Sequence, residues 1–521
     1  MPRRAQGPIF AEHLLRAELS RRRLLGGMLA TAGVAAVGSG VSSWLTQGPA
    51  RAAGVILPPG TRPDPTKPEG VDVLPQIENV VIYMQENQSY DHYFGTLGRG
   101  DGFTIGADGL PTNVNLDANG NPVKVFHQAS TCDAISGDHS WNGTHLEWNN
   151  GAMDGFAKVS GNNVMGYYDG TNLPFYRGLA ETFPICDRWF SSMLGPTYPN
   201  RRFLQAATSV GIVATDTNEV IATPTAPNGT IWERLDAHGI TWNDYAIDIW
   251  DVLLFPNGPL LTETAPHRKL YPDFLADCAA GTLPQVSILS PGANEQYDEG
   301  SRDVQNGEAF SASIIGSIMN GPQWEKTAIL FTWDEHGGGY DHVPPPPAVA
   351  PDNIAPRITV PPDQPGDFAQ YGIRVPGLVI SPFAKPDYVS HVVHDHTSIL
   401  KFIETKFNLG AMTYRDANAD NLLDCFDFTA AAFRDPPTLP APGLPAAGSA
   451  CQPQPRQPIN PRTPPTTTTS PTTTTSPASP TTTAGTSPGT TVAPAATSPS
   501  GVGQGGTGAA TPVAAQPPFT G

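Results

Sequence analysis

The chain has 521 residues, a formal net charge of −18, 56 prolines and 53 glycines. That length allows one large α/β domain or two or three average ones, and the Pro/Gly content requires loops and at least one non-globular segment. The acidic balance argues against nucleic acid as a partner and against broad capture by anionic membranes, because both attract basic patches.

Residues 1–53 read as an address, not fold. Ser20, Arg21, Arg22 and Arg23 open a twin-arginine pattern, a weakly apolar stretch follows to about Leu45, and Ala50-Arg51-Ala52 supplies a small-x-small cleavage site. Twin-arginine export to the cell surface or beyond is therefore expected. No other stretch is long and apolar enough to span a bilayer. Residues 54–76 are a Pro-rich lead-in. The five cysteines contain no CxxC pair, which argues against a structural zinc knuckle. In an exported chain one or two disulfides are expected, with one thiol left over.

The catalytic body is expected over residues 77–436. Its first element is the apolar run Val80 to Met84, rich in β-branched residues and followed by Glu86, Asn87, Ser89, Asp91 and His92. This pattern predicts a buried strand emptying into a polar loop. Ligands of open α/β sheets gather at the carboxyl ends of strands, and Glu86 and Asn87 offer oxygen ligands to a hard cation there. Residues 98–130 read as loops. Residues 137–156 read as a histidine-bearing loop, with His139 flanked by Asp138 and Ser140 and with Trp141 and Trp148 nearby.

A helix is expected before Cys186. Residues 191–209 then read as a loop running into a second helix, with Pro199 suited to its first turn and Thr197 and Tyr198 just before it. Backbone N–H groups at that helix start, with Arg201 or Arg202, make a phosphate cradle, and a hydroxyl there can attack phosphorus. Further on, residues 230–240 predict a helix, 242–248 a strand, 285–292 a buried strand, 293–310 a polar loop and 311–322 a helix. The run Ala328 to Trp333 repeats the grammar of the first strand, ending in Asp334, Glu335 and His336, three glycines, then Asp341 and His342. Residues 372–384 predict one more strand. His394-Asp395-His396 opens an amphipathic helix, with Asp395 or Thr397 as cap. This alternation predicts a mostly parallel sheet with helices on both faces. Residues 437–521, dominated by Pro, Thr, Ser and Ala, cannot bury enough apolar surface to order themselves, and a disordered tail is expected, of a composition that suits O-glycosylation.

The stretches QENQSYDHYFG, GPTYPNRRF, WDEHGGGYDHVPPP and DHTSILKFIE, in this order, resemble the bacterial phosphoesterases that include phosphocholine-preferring phospholipase C and an acid phosphatase. The resemblance runs from about residue 77 to 434. It implies an alkaline-phosphatase-like α/β/α sandwich and a divalent metal held by Glu86, Asn87, Asp334 and Glu335. Oxygen donors of this kind favour calcium, magnesium or manganese over zinc. It implies Thr197 as nucleophile through a phospho-threonine and His139 as a phosphate or leaving-group contact. The helix-start reading adds Arg201 as phosphate ligand, and the chemistry calls for a proton donor to the leaving alcohol, His139, His342 or His396. Trp141 and Tyr90 could hold a choline by cation–π contact. The expected reaction is phospholipase C cleavage of phosphatidylcholine-like lipids. The alternatives are an acid phosphatase acting on soluble monoesters and a non-enzymatic secreted binding protein. Two departures stand out. The loop after SILSP has no histidine, and the Thr/Pro tail replaces the C-terminal β domains of the longest phospholipases.

Overall fold

The computed structural model describes residues 55–132, 137–215, 225–247, 250–255, 263–291, 297–298 and 303–443. The leader assigned to residues 1–53 and all but the first few residues of the tail lie outside them. Eight strands form the main sheet: β1 (Asn79–Gln85), β2 (Ile185–Cys186), β3 (Trp242–Ala246), β4 (Arg268–Leu270), β5 (Val286–Ser290), β6 (Thr327–Trp333), β7 (Gly377–Ile380) and β8 (Val389–Ser390). Their spatial order is β8-β2-β7-β6-β1-β5-β3-β4. Strand β7 runs antiparallel to β6 and β2; the other pairings are parallel.

Strands β1 and β6 are buried at every position. Because side chains alternate between faces, burial throughout means that both faces are covered, as a parallel sheet requires. The main helices are α1 (Tyr90–Phe94), α2 (Trp141–Trp148), α3 (Pro174–Thr182), α4 (Thr197–Ala206), α5 (Ile231–Ala237), α6 (Tyr271–Ala280), α7 (Val304–Asn320) and α8 (His396–Phe407). They fall into two contacting sets: α7 packs on α3 and α6, while α4 packs on α5 and α8. The α/β layering with a mostly parallel sheet is the fold class expected from the sequence.

Local chemistry explains the boundaries. Helix α5 starts at a capping box, in which the Thr230 hydroxyl and the Glu233 carboxylate satisfy each other's backbone N–H groups. Helix α7 begins seven residues before its expected start, capped by Asp303, whose carboxylate accepts the Gln305 N–H at 3.0 Å. Its polar first turns are buried rather than looped, because Glu308 accepts the Phe175 and Tyr176 N–H groups at 2.7 and 3.1 Å, closing the start of α3. The histidine-bearing loop expected near residue 140 is instead helix α2, nucleated by Ser140 accepting the Gly143 N–H at 3.1 Å. The strand expected over 372–384 shrinks to β7: Arg374 turns inward and Pro376 has no N–H to donate.

The lead-in is strapped to the body. Asn408, left-handed at the end of α8, donates to the carbonyls of Asp64, Lys67 and Pro68 at 2.9, 3.1 and 3.0 Å. Past the expected boundary at 436, Leu439 is still buried and the Gly443 N–H meets Glu308 Oε2 at 2.6 Å.

One buried group makes the fold acid-sensitive. His92 is enclosed in α1, stacked on Tyr168 at 5.0 Å, and neither ring nitrogen has a hydrogen-bond partner among the described residues. Burial alone pushes its pKa down to about 3. A depressed imidazole contributes full stability above the unfolded value near 6.5 and loses it as pH falls toward the folded value, because only the unfolded chain takes the proton. His92→Leu is expected to flatten the loss of stability between pH 6.5 and 4 by about 1.4 kcal/mol per pH unit. Urea unfolding across that range measures it; an unchanged slope would sink the assignment.

Candidate active site

Strands β1 and β6 are adjacent and parallel, with Gln85 opposite Trp333, so Glu86-Asn87 and Asp334-Glu335 leave the same edge of the sheet together. Asn87 adopts φ 56°, a left-handed turn that Asn tolerates better than most residues. Its N–H donates to Asp334 Oδ1 at 3.1 Å, and the same oxygen accepts the Glu335 N–H at 2.8 Å. The glycines that follow allow a close wrap: a Cβ on Gly337, at φ 63°, would come within 2.5 Å of the Asn87 carbonyl oxygen.

Thr197 is the first residue of α4, not a residue ahead of it. Its hydroxyl lies 3.5 Å from Asn87 Oδ1. The residue before it, Pro196, makes no side-chain cap; of the first N–H groups, that of Tyr198 goes to Thr215 Oγ1 at 3.1 Å, Pro199 has none, and that of Asn200 goes to the Pro196 carbonyl at 3.4 Å. His139 Nδ1 lies 3.0 Å from the Gly137 carbonyl, leaving Nε2 4.0 Å from Glu335 Oε1. Four of the expected residues thus surround one spot: Asn87, Thr197, Glu335 and His139, with Asp334 beneath.

The others are placed differently. Arg201 was expected to cradle phosphate. It is 3% exposed and is committed to carboxylates: Glu86 Oε1 at 2.8 Å, Asp334 Oδ2 at 3.1 Å and Asp251 Oδ1 at 3.2 Å. One turn into α4, its long side chain runs under the loops instead of out of them. His396 is wholly buried, and its Nε2–H donates to the Asp334 carbonyl at 2.7 Å. Burial pushes its pKa down to about 4, so it positions the Asp334 backbone as a neutral ring. His342 belongs to a separate network, 2.6 Å from Asp91 Oδ2. There Arg374 joins Asp91 and Asp341 at 2.9 Å each. Tyr90 lies fully buried under the Arg374 guanidinium, 4.4 Å from its ring centre, which removes it from any headgroup. Trp141 packs with Met193, Phe203 and Phe368, and its Nε1–H is taken by the Gln364 carbonyl at 2.9 Å.

Residues 77–410 match the model of the Phosphoesterase family. The chain belongs to the Phosphoesterase family. Phospholipase C B of Mycobacterium tuberculosis is 31% identical over 72% of this phosphoesterase and 82% of its own length. The non-hemolytic phospholipase C of Pseudomonas aeruginosa is 32% identical over 72% of the chain and 60% of its own length. Non-specific phospholipase C5 of Arabidopsis thaliana is 32% identical over 66% and 72% respectively. Among solved structures, an alkaline phosphatase superfamily protein from Vibrio parahaemolyticus aligns with 69% of this chain and 74% of its own at 11% identity and a TM-score of 0.35.

The phosphoesterase carries site residues that the sequence reading passed over. Asp251 and Ser290 hold the far side of Arg201, with Ser290 Oγ 3.1 Å from Nη1. His336 bridges Glu335 Oε2 at 3.2 Å and Glu147 Oε2 at 2.8 Å. Burial would lower the His336 pKa, but the two carboxylates hold it up at about 9. Burial opposes ionisation of Glu335 too, yet His139 and His336 outweigh it and keep Glu335 below the usual carboxylate range. Burial pushes Asp334 up to about 7 against the pull of Arg201. Tyr198, next to Thr197, is half-buried, with its phenol in the field of Glu86 and Arg201. The visible signal was the wording itself: His336 sits inside WDEH and Tyr198 inside GPTYPN.

A divalent cation suits part of this set. Glu335 Oε1 is buried with no hydrogen-bond donor among the described residues, and Asn87 Oδ1, the Asp334 carboxylate and His139 Nε2 stand around the same edge. Such oxygen-rich donors fit a hard ion. Glu86 and Asp334 are both engaged by Arg201 as well, through Oε1 at 2.8 Å and Oδ2 at 3.1 Å, so each would be shared with it.

Proposed function

We propose that this phosphoesterase is a phospholipase C that cleaves phosphatidylcholine-like lipids to diacylglycerol and a phosphorylated headgroup. The observation that carries the reading is the Thr197 hydroxyl at the start of α4, facing Asn87 3.5 Å away. In this reading the Thr197 hydroxyl releases its proton to solvent and Oγ1 attacks phosphorus as the bond to the diacylglycerol oxygen breaks. The Thr197 N–H at the start of α4 receives a phosphoryl oxygen. The His139 imidazolium, stabilised by Glu335, gives its Nε2 proton to the leaving alcohol. Water then releases the headgroup phosphate from the threonine. A calcium, magnesium or manganese ion held by Asn87, Asp334 and Glu335, with Glu86 shared between it and Arg201, would supply charge neutralisation at the phosphoryl group and lower the hydroxyl pKa. Tyr198, rather than Trp141 or Tyr90, is the aromatic residue beside Thr197 that could meet a choline. The relatives named phospholipase C support the lipid reading.

The second reading is a phosphatase acting on soluble monoesters, favoured by the closure of the expected aromatic wall around Trp141 and Tyr90. Export by the twin-arginine route remains part of the proposal. Among the described residues no helix is long and apolar enough to cross a membrane.

The deciding experiment is side-by-side hydrolysis of phosphatidylcholine vesicles and an aryl phosphate monoester, with and without chelator. Phosphocholine release that chelator abolishes and a divalent ion restores is expected. Monoester cleavage alone would replace the lipid reading with the phosphatase, and activity on neither substrate would favour a binding protein. Asp334→Asn is expected to lower bound metal and turnover together; elemental analysis alongside the assay checks this.

A further inference from the structure

Away from Thr197, the last residue of β2 meets the C-terminal segment of the body. Cys186 Sγ and Cys425 Sγ are 3.8 Å apart, both wholly buried and separated by 239 positions in the chain. Neither is bonded, in contrast to Cys132, which is in a disulfide. A third free cysteine, Cys278, is buried on α6. His394, fully buried, stands beside the pair: its Nε2 is 3.1 Å from Ser390 Oγ, its Nδ1 is 3.4 Å from Asp420 Oδ1, and the Cys186 thiol lies in its field. Asp424 Oδ1 lies 3.7 Å from Cys425 Sγ.

The environment divides the two sulfurs into an attacking and a resolving group. Burial raises the Cys186 thiol, but the Cys425 S–H and His394 outweigh it and bring it below the ordinary value. Hydrogen bonding to Cys186, with burial, holds Cys425 well above the ordinary value and protonated. Burial would lower His394, yet Cys186 and Asp420 keep it up at about 9. Two thiols in van der Waals contact across 239 positions of chain, with an imidazole alongside, are placed to join. The turn that delivers Cys425 is strained as well, with Leu422 at φ 60°.

We propose that Cys186 and Cys425 are a peroxide-responsive dithiol that closes to a disulfide. The Cys186 thiolate attacks one peroxide oxygen, the S–O bond forms, the O–O bond breaks and hydroxide leaves. That hydroxide takes the Cys425 proton and becomes water. The Cys425 thiolate then attacks the Cys186 sulfenic sulfur, the S–S bond forms and a second hydroxide leaves. Two electrons pass from sulfur to peroxide. The cross-link ties β2 to the segment around Phe426 and closes a very long loop, which restricts the unfolded chain most.

The test uses the full wild-type chain, folded, as isolated and after dilute hydrogen peroxide. It is quenched, denatured, alkylated and digested with trypsin without reductant. The peptides 178–188 and 416–434 are expected as a linked pair, two hydrogens lighter than the sum of their thiol forms, and released by dithiothreitol. Peptide 270–302, bearing Cys278, is expected to be alkylated throughout. The linked form is expected to melt about 5 °C or more above the reduced form. In Cys425→Ala, peroxide is expected to leave Cys186 as a dimedone-reactive sulfenic acid. Recovery of both wild-type peptides as alkylated thiols after peroxide would overturn the proposal, as would oxidation confined to Cys278.

Discussion

Thr197→Val is expected to lower turnover by about 10⁴-fold or more while the protein stays folded. The substitution keeps the β-branched shape and removes the hydroxyl that faces Asn87. Little stability depends on that hydroxyl, since its 3.5 Å separation from Asn87 Oδ1 is at the limit of a hydrogen bond. Thermal melting is therefore expected to match the wild type, and phosphate or lipid-vesicle binding is expected to persist. Near-normal turnover would remove Thr197 as nucleophile. The neighbouring serines would not easily inherit the role: Ser192 Oγ donates to Asp395 Oδ2 at 2.8 Å, Ser191 Oγ lies 3.3 Å from the Met193 carbonyl, and both are buried.

Arg201→Met is expected to destabilise the fold by about 3–5 kcal/mol at pH 8, the scale for breaking a buried ion pair on one side. The guanidinium is enclosed by Glu86, Asp251 and Asp334, and removing it leaves carboxylates buried and uncompensated. Burial already raises Asp334 to about 7 with the arginine present. Raised folded-state carboxylates favour the fold at low pH and cost stability as pH rises through their folded pKa. The gap between Arg201→Met and wild type should therefore narrow at pH 6. Arg201→Lys, which keeps the charge but not the fork, should fall between them. Urea unfolding at both pH values measures the effect, and equal midpoints for mutant and wild type would show that the arginine does not hold the cluster.

Helix α4 explains why these two residues, four apart, do such different work. Thr197 is at the helix start, where its short side chain reaches the sheet edge. Arg201 lies one turn deeper, and from there only its long side chain reaches the carboxylates. The sequence reading placed both near a phosphate, since a helix start with two arginines suits an anion. It had no access to Asp251, contributed by a short turn fifty positions away. The same limit applies to His342 and Tyr90. Each sits in a motif that also holds site residues, yet Tyr90 lies under Arg374 and His342 pairs with Asp91, 251 positions away.

What chain-local chemistry settled was the pair of strands and the residues at their ends. Two apolar, β-branched runs, each closing on acidic or amide groups and one on glycines, were sufficient to expect a parallel sheet with Glu86, Asn87, Asp334 and Glu335 at its edge, because period, turn chemistry and residue type are local properties. Only the tertiary structure decided which charged groups neutralise one another. Arg201 went to three carboxylates, His396 to a backbone carbonyl and His336 to Glu147, because a buried polar or charged group must find its partner in space, and those partners lie tens to hundreds of residues apart in the chain.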